Sequence, residues 1–268
     1  MTQQTLSNSD IIQTAISRLR EYEPSEGYYL AFSGGKDSIC CYHLCKMAGV
    51  KFTAHYNMTT IDPPSITSFI RENYPDVIWE KPIYKGERTN YYALIARKGL
   101  PSRKARWCCD YLKEINGGKG STVVLGVRRA ESAKRANREV YSTYNGKHIL
   151  NPIVDWKDTD VWDFIKSQNL SYPSLYDEGQ KRAGCIMCPL ACRAARIRDY
   201  ETYSSHVKAI ERAVSARLKT IDAERERESG LYKWGQNAHE IVYYWVHESP
   251  IESAKGACLS AYLGGDVE

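Results

Sequence analysis

The sequence lacks the features of a membrane protein or a secreted protein. No apolar run approaches the ~18 residues that a membrane-spanning helix needs. The first residues, Met-Thr-Gln-Gln-Thr-Leu, have neither the basic region nor the apolar region of a signal peptide. Internal repeats and low-complexity tracts are also missing, which argues against a repeat architecture. We therefore expect a cytoplasmic protein with no membrane partner.

Composition and charge set further bounds on the chain. The 268 residues are 43% hydrophobic and 26% charged, enough for a substantial core in a soluble protein. The net charge of +5 suits an anionic small substrate or a weak nucleic-acid surface and does not separate the two. Nine cysteines are many for a cytosolic chain. Because a reducing compartment argues against disulfides, metal or redox chemistry is the first expectation.

Residues 28–38 form the most informative stretch. Tyr28 to Phe32 has the length and composition of a buried strand, and a helical apolar pattern follows Ser38. Two glycines between them let the backbone turn with positive φ and approach a ligand. The free N–H groups and the dipole of the following helix attract negative charge. We therefore predict a phosphate-binding loop whose ligand contacts come from Ser33, Gly34, Gly35, Lys36, Asp37 and Ser38.

Strands and helices alternate along the chain, which implies right-handed βαβ units and a mostly parallel sheet. The predicted class is α/β, a Rossmann-like parallel sheet with helices on both faces. Strands are predicted at Tyr28–Phe32, Phe52–Asn57, Val77–Glu80, Thr122–Gly126 and His148–Asn151. Helices are predicted at about 9–22, 39–47, 65–74, 90–98, 109–115, 159–168, 196–227 and 237–247.

The order of elements also predicts where the ligand lies. Ligands of parallel sheets bind at the C-terminal ends of the strands. The loop at Ser33, the segment after Asn57 and the segment after Gly126 should therefore meet on one rim, with the adenine around Tyr56 to Thr60. After Pro189 the chain becomes polar and helical. We predict a nucleotide-binding domain over residues 1–195 and a helical C-terminal extension over 196–268.

Four cysteines form the second candidate site. Cys108-Cys109 is followed, after 75 intervening residues, by Cys185-x-x-Cys188. A Cys-x-x-Cys pair is a common metal half-site, and four thiolates suit a [4Fe–4S] cluster or, as the alternative, zinc. Cys192 is a rival ligand because it lies one helical turn after Cys188. Unmetallated core thiols are a third interpretation. Three further cysteines are interpreted as helix packing: Cys40, Cys41 and Cys45.

These motifs together resemble the sulfonucleotide (PAPS) reductase family of the adenine-nucleotide α-hydrolase superfamily. Ser-Gly-Gly-Lys-Asp-Ser resembles the pyrophosphate loop (PP-loop) of that superfamily. The cysteine arrangement resembles that of cluster-binding APS reductases and of the sulfur-transfer enzymes of DNA phosphorothioation. The neighbouring stretches are similar to family signatures: Asn151–Trp156, Asp160–Trp162, Pro173–Tyr176 and Arg182-x-Gly184-Cys185. The resemblance covers about residues 25–195.

The basic segment after the fourth predicted strand adds to this resemblance. Gly-x-Arg-x-x-Glu-Ser-x-x-Arg at residues 126–135 is similar to the family's arginine segment, which faces the phosphosulfate or pyrophosphate. The resemblance implies ligand contacts for Gly126, Arg128, Ser132 and Arg135, and guanidinium groups suit phosphate oxygens. Arg128, Arg135 and Lys36 are the predicted catalytic residues. The alternative is a solvated basic face.

Two departures from the reductase pattern favour ATP-dependent chemistry. The chain lacks the Glu-Cys-Gly-x-His segment whose cysteine attacks sulfur, and Cys258 is the available substitute. The loop also keeps the form found in enzymes that split ATP between the α- and β-phosphates. The resemblance therefore implies ATP cleavage to AMP and pyrophosphate with Mg²⁺, followed by sulfur transfer.

Two other functions stay open at this point. One is reduction of APS or PAPS to sulfite, with Cys258 or an external thiol reductant as nucleophile. The other is a non-catalytic regulator that binds a nucleotide. The sequence does not separate nucleic acid from a small molecule as acceptor, and it does not name the sulfur donor. A homo-oligomer is compatible with it.

Overall fold

The computed structural model describes residues 8–115, 117–220 and 234–251. The chain divides into two compact units. Unit 1 comprises Met1–Met58, Asp62–Lys81 and Lys113–Gly184, and unit 2 comprises Thr59–Ile61, Pro82–Leu112 and Cys185–Glu268. These units interleave along the chain, whereas the sequence predicts one boundary at residue 195. Two earlier segments belong with the C-terminal helices because their apolar side chains share a core with them.

Unit 1 is built on one six-stranded sheet. Its strands are β1 (Tyr28–Ala31), β2 (Phe52–Asn57), β3 (Ile78–Glu80), β6 (Thr122–Val124), β7 (Tyr141–Tyr144) and β8 (Lys147–Leu150). They lie in the order β3-β2-β1-β6-β8-β7, and all neighbours are parallel except β7 and β8. The chain therefore leaves β1 towards β2 and β3 and later returns beside it as β6. The crevice between β1 and β6 is the topological switch point, where ligands of such sheets bind.

The helices of unit 1 bury the sheet. They are α1 (Asn8–Glu21), α2 (Lys36–Ala48), α3 (Pro64–Asn73) and α5 (Asp158–Ser167). The central helix α2 is apolar on most of its circumference, and Cys40, Cys41 and Cys45 on it are 0% exposed. The interpretation of these three cysteines as helix packing is therefore confirmed. The mostly parallel sheet with its helices also confirms the predicted Rossmann-like α/β class.

Unit 2 is largely helical. It contains a small hairpin of β4 (Ile83–Tyr84) and β5 (Glu87–Arg88) and the helices α4 (Tyr91–Lys98), α6 (Arg193–Thr202), α7 (Ser204–Leu218) and α8 (Ala238–His247). Fully buried residues of α4, α7 and α8 meet in its core, among them Leu94, Ile210 and Ile241. No helix among the described residues is both long enough and apolar enough to cross a bilayer.

Several elements differ from the sequence prediction, and the small hairpin of β4 and β5 was not predicted. Strand β7 is missed, although the Asn145-Gly146 turn that joins it to β8 is typical of hairpins and has positive φ at both residues. The helix predicted after the cysteine pair is instead a short π-helical turn, Cys109–Lys113. The long helix predicted from residue 196 is divided at Tyr203, whose φ of −108° and ψ of 57° are not helical. Its predicted end lies outside the described residues.

Candidate functional site

The predicted phosphate-binding loop lies between β1 and α2. Gly34 has a φ of +71°, and a Cβ atom at this position would lie 2.8 Å from Cγ1 of Ile70. The turn therefore requires glycine both for its conformation and for the close approach of α3. The hydroxyl of Ser38 donates to Gly35 O at 2.8 Å and accepts from the Ser33 N–H at 3.2 Å. These two bonds hold the loop in shape.

The N-terminus of α2 has no side-chain cap of its own. Its N-cap residue is Gly35, which has no side chain to cap the helix. The Lys36 N–H donates instead to the hydroxyl of Tyr176 at 3.0 Å. A Cβ atom on Gly35 would lie 3.3 Å from that hydroxyl. Tyr176 therefore lies directly over the first turn of the helix, where the N–H groups and the helix dipole favour an anion.

Lys36 is a buried cation beside this loop. The residue is only 4% exposed, and a buried ammonium group is stable only with polar partners around it. Its Nζ lies 3.0 Å from Oδ1 of Asp158 and 3.9 Å from Oδ2 of Asp37, and it donates to Lys181 O at 3.4 Å. Lys36, a predicted catalytic residue, is therefore paired with two carboxylates and a carbonyl in this structure.

Arg128 is the second buried cation and joins the same carboxylates. It is 3% exposed, its Nε donates to Oδ1 of Asp37 at 2.6 Å, and its Nη2 donates to Oδ1 of Asp158 at 3.1 Å. Partial burial raises the pKa of Asp158, but the hydrogen bond and charge of Lys36, together with Arg128, outweigh it. The pKa of Asp158 is therefore held below its ordinary value.

Gly126 brings the segment after β6 against the loop. A Cβ atom at Gly126 would lie 2.9 Å from the backbone C and O atoms of Asp37. The predicted convergence of the Ser33 loop and the Gly126 segment on one rim is therefore confirmed. The segment after β2 differs, because Thr60 belongs to unit 2, where its hydroxyl accepts from the Tyr91 N–H at 2.8 Å. A nucleotide contact of Thr60 stays a prediction.

The remaining predicted residues of this segment are more accessible. Ser132 is exposed, and Arg135 forms an ion pair with Glu131. Burial lowers the pKa of Arg135, and so do the positive charges of Arg182 and Arg138. Several guanidinium groups are therefore close enough to repel one another near the loop, and an anion would relieve that repulsion.

Sequence reasoning missed the partners of Lys36 and Arg128. Asp158 directly precedes the helix predicted at about 159–168, but the hydrogen bond at the start of α5 goes to Asp160, which accepts from the Lys157 N–H at 2.7 Å. Asp158 turns instead to the two buried cations. A buried lysine signals that some carboxylate must approach it, but the sequence does not indicate which one.

The cysteine cluster lies entirely in unit 2. A hydrogen bond with Cys109, then burial, then the negative charges of Cys109, Cys185 and Cys188 raise the pKa of Cys108. Cys109, Cys185 and Cys188 are therefore close enough to Cys108 for their charges to act on it. Cys192 is exposed and is not among the groups that affect Cys108.

Local contacts fix the turn that carries Cys185 and Cys188. Met187 in this turn has a φ of 51°, and its N–H donates to Oδ2 of Asp199 at 2.9 Å. The Cys185 thiol lies 3.7 Å from the hydroxyl of Thr59. These contacts fix the backbone of the turn.

The donor set fits a metal centre in its chemistry. Within residues 8–115, 117–220 and 234–251, no group of three or more His, Cys, Asp or Glu side chains is placed so that it could hold a metal ion. The four cysteines of unit 2 are nevertheless of the ligand type that zinc and iron–sulfur clusters prefer. Trp107, next to Cys108, also has a buried Nε1–H without a hydrogen-bond partner among the described residues. A sulfur-rich group could accept from that unused donor.

The chain is similar in sequence to several known proteins. The chain is 31% identical over 186 residues to an uncharacterised protein of Methanocaldococcus jannaschii, covering 65% of this chain and 44% of that protein. It is 34% identical over 100 residues to an adenosine 5′-phosphosulfate reductase of Allochromatium vinosum, covering 34% and 38%. The matches thus span less than half the length of these curated relatives.

The fold is also similar to that of a solved reductase. The crystal structure of a phosphoadenylyl-sulfate (PAPS) reductase from Candida auris, a phosphate complex, aligns with a TM-score of 0.51 and 16% identity. The alignment covers 68% of this chain and 96% of that one. Residues 27–191 match the family described as the phosphoadenosine phosphosulfate reductase domain. The chain therefore belongs to the phosphoadenosine phosphosulfate reductase domain family.

Proposed function

We propose that this chain is an enzyme that binds ATP at the loop of residues 33–38 and cleaves it to AMP and pyrophosphate, activating an acceptor for sulfur transfer. The observation that carries the proposal is the pair of buried cations, Lys36 and Arg128, at the N-terminus of α2. Burying two positive charges costs stability unless anions face them, and the carboxylates of Asp37 and Asp158 do so in this structure. The phosphate oxygens of ATP would be alternative anionic partners for the same two cations.

The residues of the loop suit the stabilisation of a leaving pyrophosphate. An acceptor oxygen forms a bond to the α-phosphorus, and the bond from that phosphorus to the α–β bridging oxygen breaks. The electron pair leaves with pyrophosphate, whose growing charge faces Lys36 and the α2 dipole. A sulfur nucleophile then takes the place of the activated oxygen, which departs with AMP. Bound Mg²⁺ would neutralise phosphate charge, and Asp37, whose carboxylate pairs with Arg128 and Lys36 in this structure, would be the ligand that the loop supplies.

The four cysteines of unit 2 are proposed to hold a [4Fe–4S] cluster, with zinc as the alternative. Cys108, Cys109, Cys185 and Cys188 would be the ligands; the charges of the last three act on Cys108, and the rival ligand Cys192 is exposed. A bound cluster would supply iron coordination or electron transfer for sulfur chemistry. The protein's part is to hold the Cys185–Cys188 turn through the hydrogen bond from the Met187 N–H to Asp199.

Sulfonucleotide reduction is the second candidate. The likeness to an adenosine 5′-phosphosulfate reductase and the cysteine set favour it. In this reaction a thiolate attacks the sulfur of APS or PAPS, AMP or its 3′-phosphate leaves, and a second thiol releases sulfite. The predicted substitute nucleophile, Cys258, lies outside the described residues.

One experiment separates the candidates. Protein purified without oxygen is incubated with Mg²⁺ and ATP, with and without nucleic acid or small-molecule acceptors, and pyrophosphate is measured. Parallel samples receive APS or PAPS with a thiol, and sulfite is measured. Pyrophosphate release that is lost in Lys36→Ala supports the proposal. Rapid sulfite production that is lost in Cys258→Ser contradicts it, and binding without either product supports a regulator.

A further inference from the structure

Asp158 occupies the point where the two buried cations meet. One oxygen, Oδ1, lies 3.0 Å from Nζ of Lys36 and 3.1 Å from Nη2 of Arg128. The rest of its side chain faces solvent, because 63% of that side chain is exposed. A carboxylate oxygen between an ammonium and a guanidinium group has the surroundings that proteins give to a phosphate oxygen.

The stability of α5 does not explain why Asp158 contacts Lys36 and Arg128. The hydrogen bond at the start of that helix comes from Asp160. Apolar residues such as Val161 and Phe164 form the buried side of the helix. An exposed acid in the first turn gains a little from the helix dipole, but this gain does not require contact with Lys36. The contact is therefore a property of the loop site.

We propose that Asp158 is an internal competitor of the ligand, a specificity-determining residue whose carboxylate takes the place of one phosphate oxygen until the ligand displaces it. This inference rests on the proposed binding of nucleotide phosphates at the loop. A polyphosphate brings several oxygens to Lys36 and Arg128 and leaves Asp158 free to turn into solvent. A small monovalent anion offers one oxygen, so replacing the Asp158 carboxylate with it gains little binding free energy. The competitor therefore selects for polyphosphate.

The test is calorimetric titration of the intact protein with inorganic pyrophosphate in a buffer that contains EDTA. Asp158→Asn keeps the size of the side chain but removes its charge, and we expect pyrophosphate to bind about five- to thirtyfold more tightly. Asp163→Asn is the matched control, because it removes the same charge from an exposed position of the same helix. That variant should bind within about twofold of the wild type.

The outcomes separate this inference from the proposed function. If Lys36→Ala weakens pyrophosphate binding but Asp158→Asn does not tighten it, the competitor is refuted and the loop site stands. If wild type and Lys36→Ala bind equally, the loop site itself is refuted. Titration with Mg²⁺ and ATP adds a second readout, and weaker binding by Asp158→Asn there would make Asp158 a metal ligand and overturn the inference. Asp158→Ser repeats each measurement with a smaller side chain.

Discussion

Arg128→Met tests whether the buried arginine is the centre of the charge network in unit 1. The guanidinium group joins Asp37 to Asp158 and also approaches Trp156 O at 3.5 Å. Methionine keeps much of the apolar volume but none of the five N–H donors. Among the described residues, Lys36 is then the remaining cation that pairs with Asp37, at a distance of 3.9 Å.

The expected loss follows from the burial of the partners. Removing one member of a fully buried ion pair costs about 3–5 kcal/mol, because the other charge is left uncompensated. Here the side chain of Asp37 is 23% exposed and that of Asp158 is 63% exposed, so water recovers part of the cost. We therefore expect the free energy of unfolding to fall by about 2–3 kcal/mol.

Urea unfolding followed by circular dichroism and tryptophan fluorescence measures this loss. Arg129→Met is the matched control, because the neighbouring arginine is 40% exposed and pairs with the exposed carboxylate of Asp155. An exposed pair contributes about 0–1 kcal/mol. If Arg128→Met and Arg129→Met lose the same small free energy, Arg128 does not hold the network together and the site description is wrong.

Four further predictions follow from the geometry. Gly126→Ala should lower the free energy of unfolding by about 1–3 kcal/mol, because its Cβ would meet the Asp37 backbone, whereas Gly118→Ala has open space and should be neutral in the same urea experiment. In metal-free native protein, iodoacetamide should modify exposed Cys192 before Cys40, Cys41 and Cys45, since burial raises the pKa of Cys45 to about 12; peptide mass spectrometry decides the order. The pKa of Asp158 is lowered in the folded state, so its ionised carboxylate stabilises the fold at pH values above its ordinary pKa of 3.8. This stabilisation is lost as the pH falls through the folded-state pKa, so the free energy of unfolding should depend less on acid pH in Asp158→Asn. Anaerobic protein should contain iron and sulfide and absorb near ~400 nm, Cys188→Ser should lose both and Cys192→Ser should keep them; stoichiometric zinc without iron would refute the cluster but keep the four-cysteine site.

The sequence predicted the loop because the residues that determine its conformation are adjacent in the chain. A strand, two glycines and a helix start follow each other within residues 28–38, and each glycine has a steric reason in the structure. The meeting of this loop with Gly126 was also predictable, since parallel strands place their C-terminal ends on one rim. Both predictions needed only the order of elements.

The partners of the buried charges could not be predicted in the same way. Asp158 lies far along the chain from Lys36, and its neighbour Asp160 has the same chemistry but forms the helix-start bond instead. Only the register of α5 against the loop decides between the two acids. Thr60 shows the same limit, because its hydroxyl is used by Tyr91 on α4, an element that the strand pattern did not connect with it.

Binding of ATP to the wild type and to Lys36→Ala tests the central claim most directly. Calorimetric titration with Mg²⁺ and ATP should show an affinity loss of about 1–3 kcal/mol in the variant, the scale of a lost charged hydrogen bond. Lys181→Ala is a suitable control, because that residue approaches Lys36 only through its backbone carbonyl, and it should bind as the wild type does. Equal ATP affinity in wild type and Lys36→Ala would contradict the account, because it would place the nucleotide away from the loop of residues 33–38.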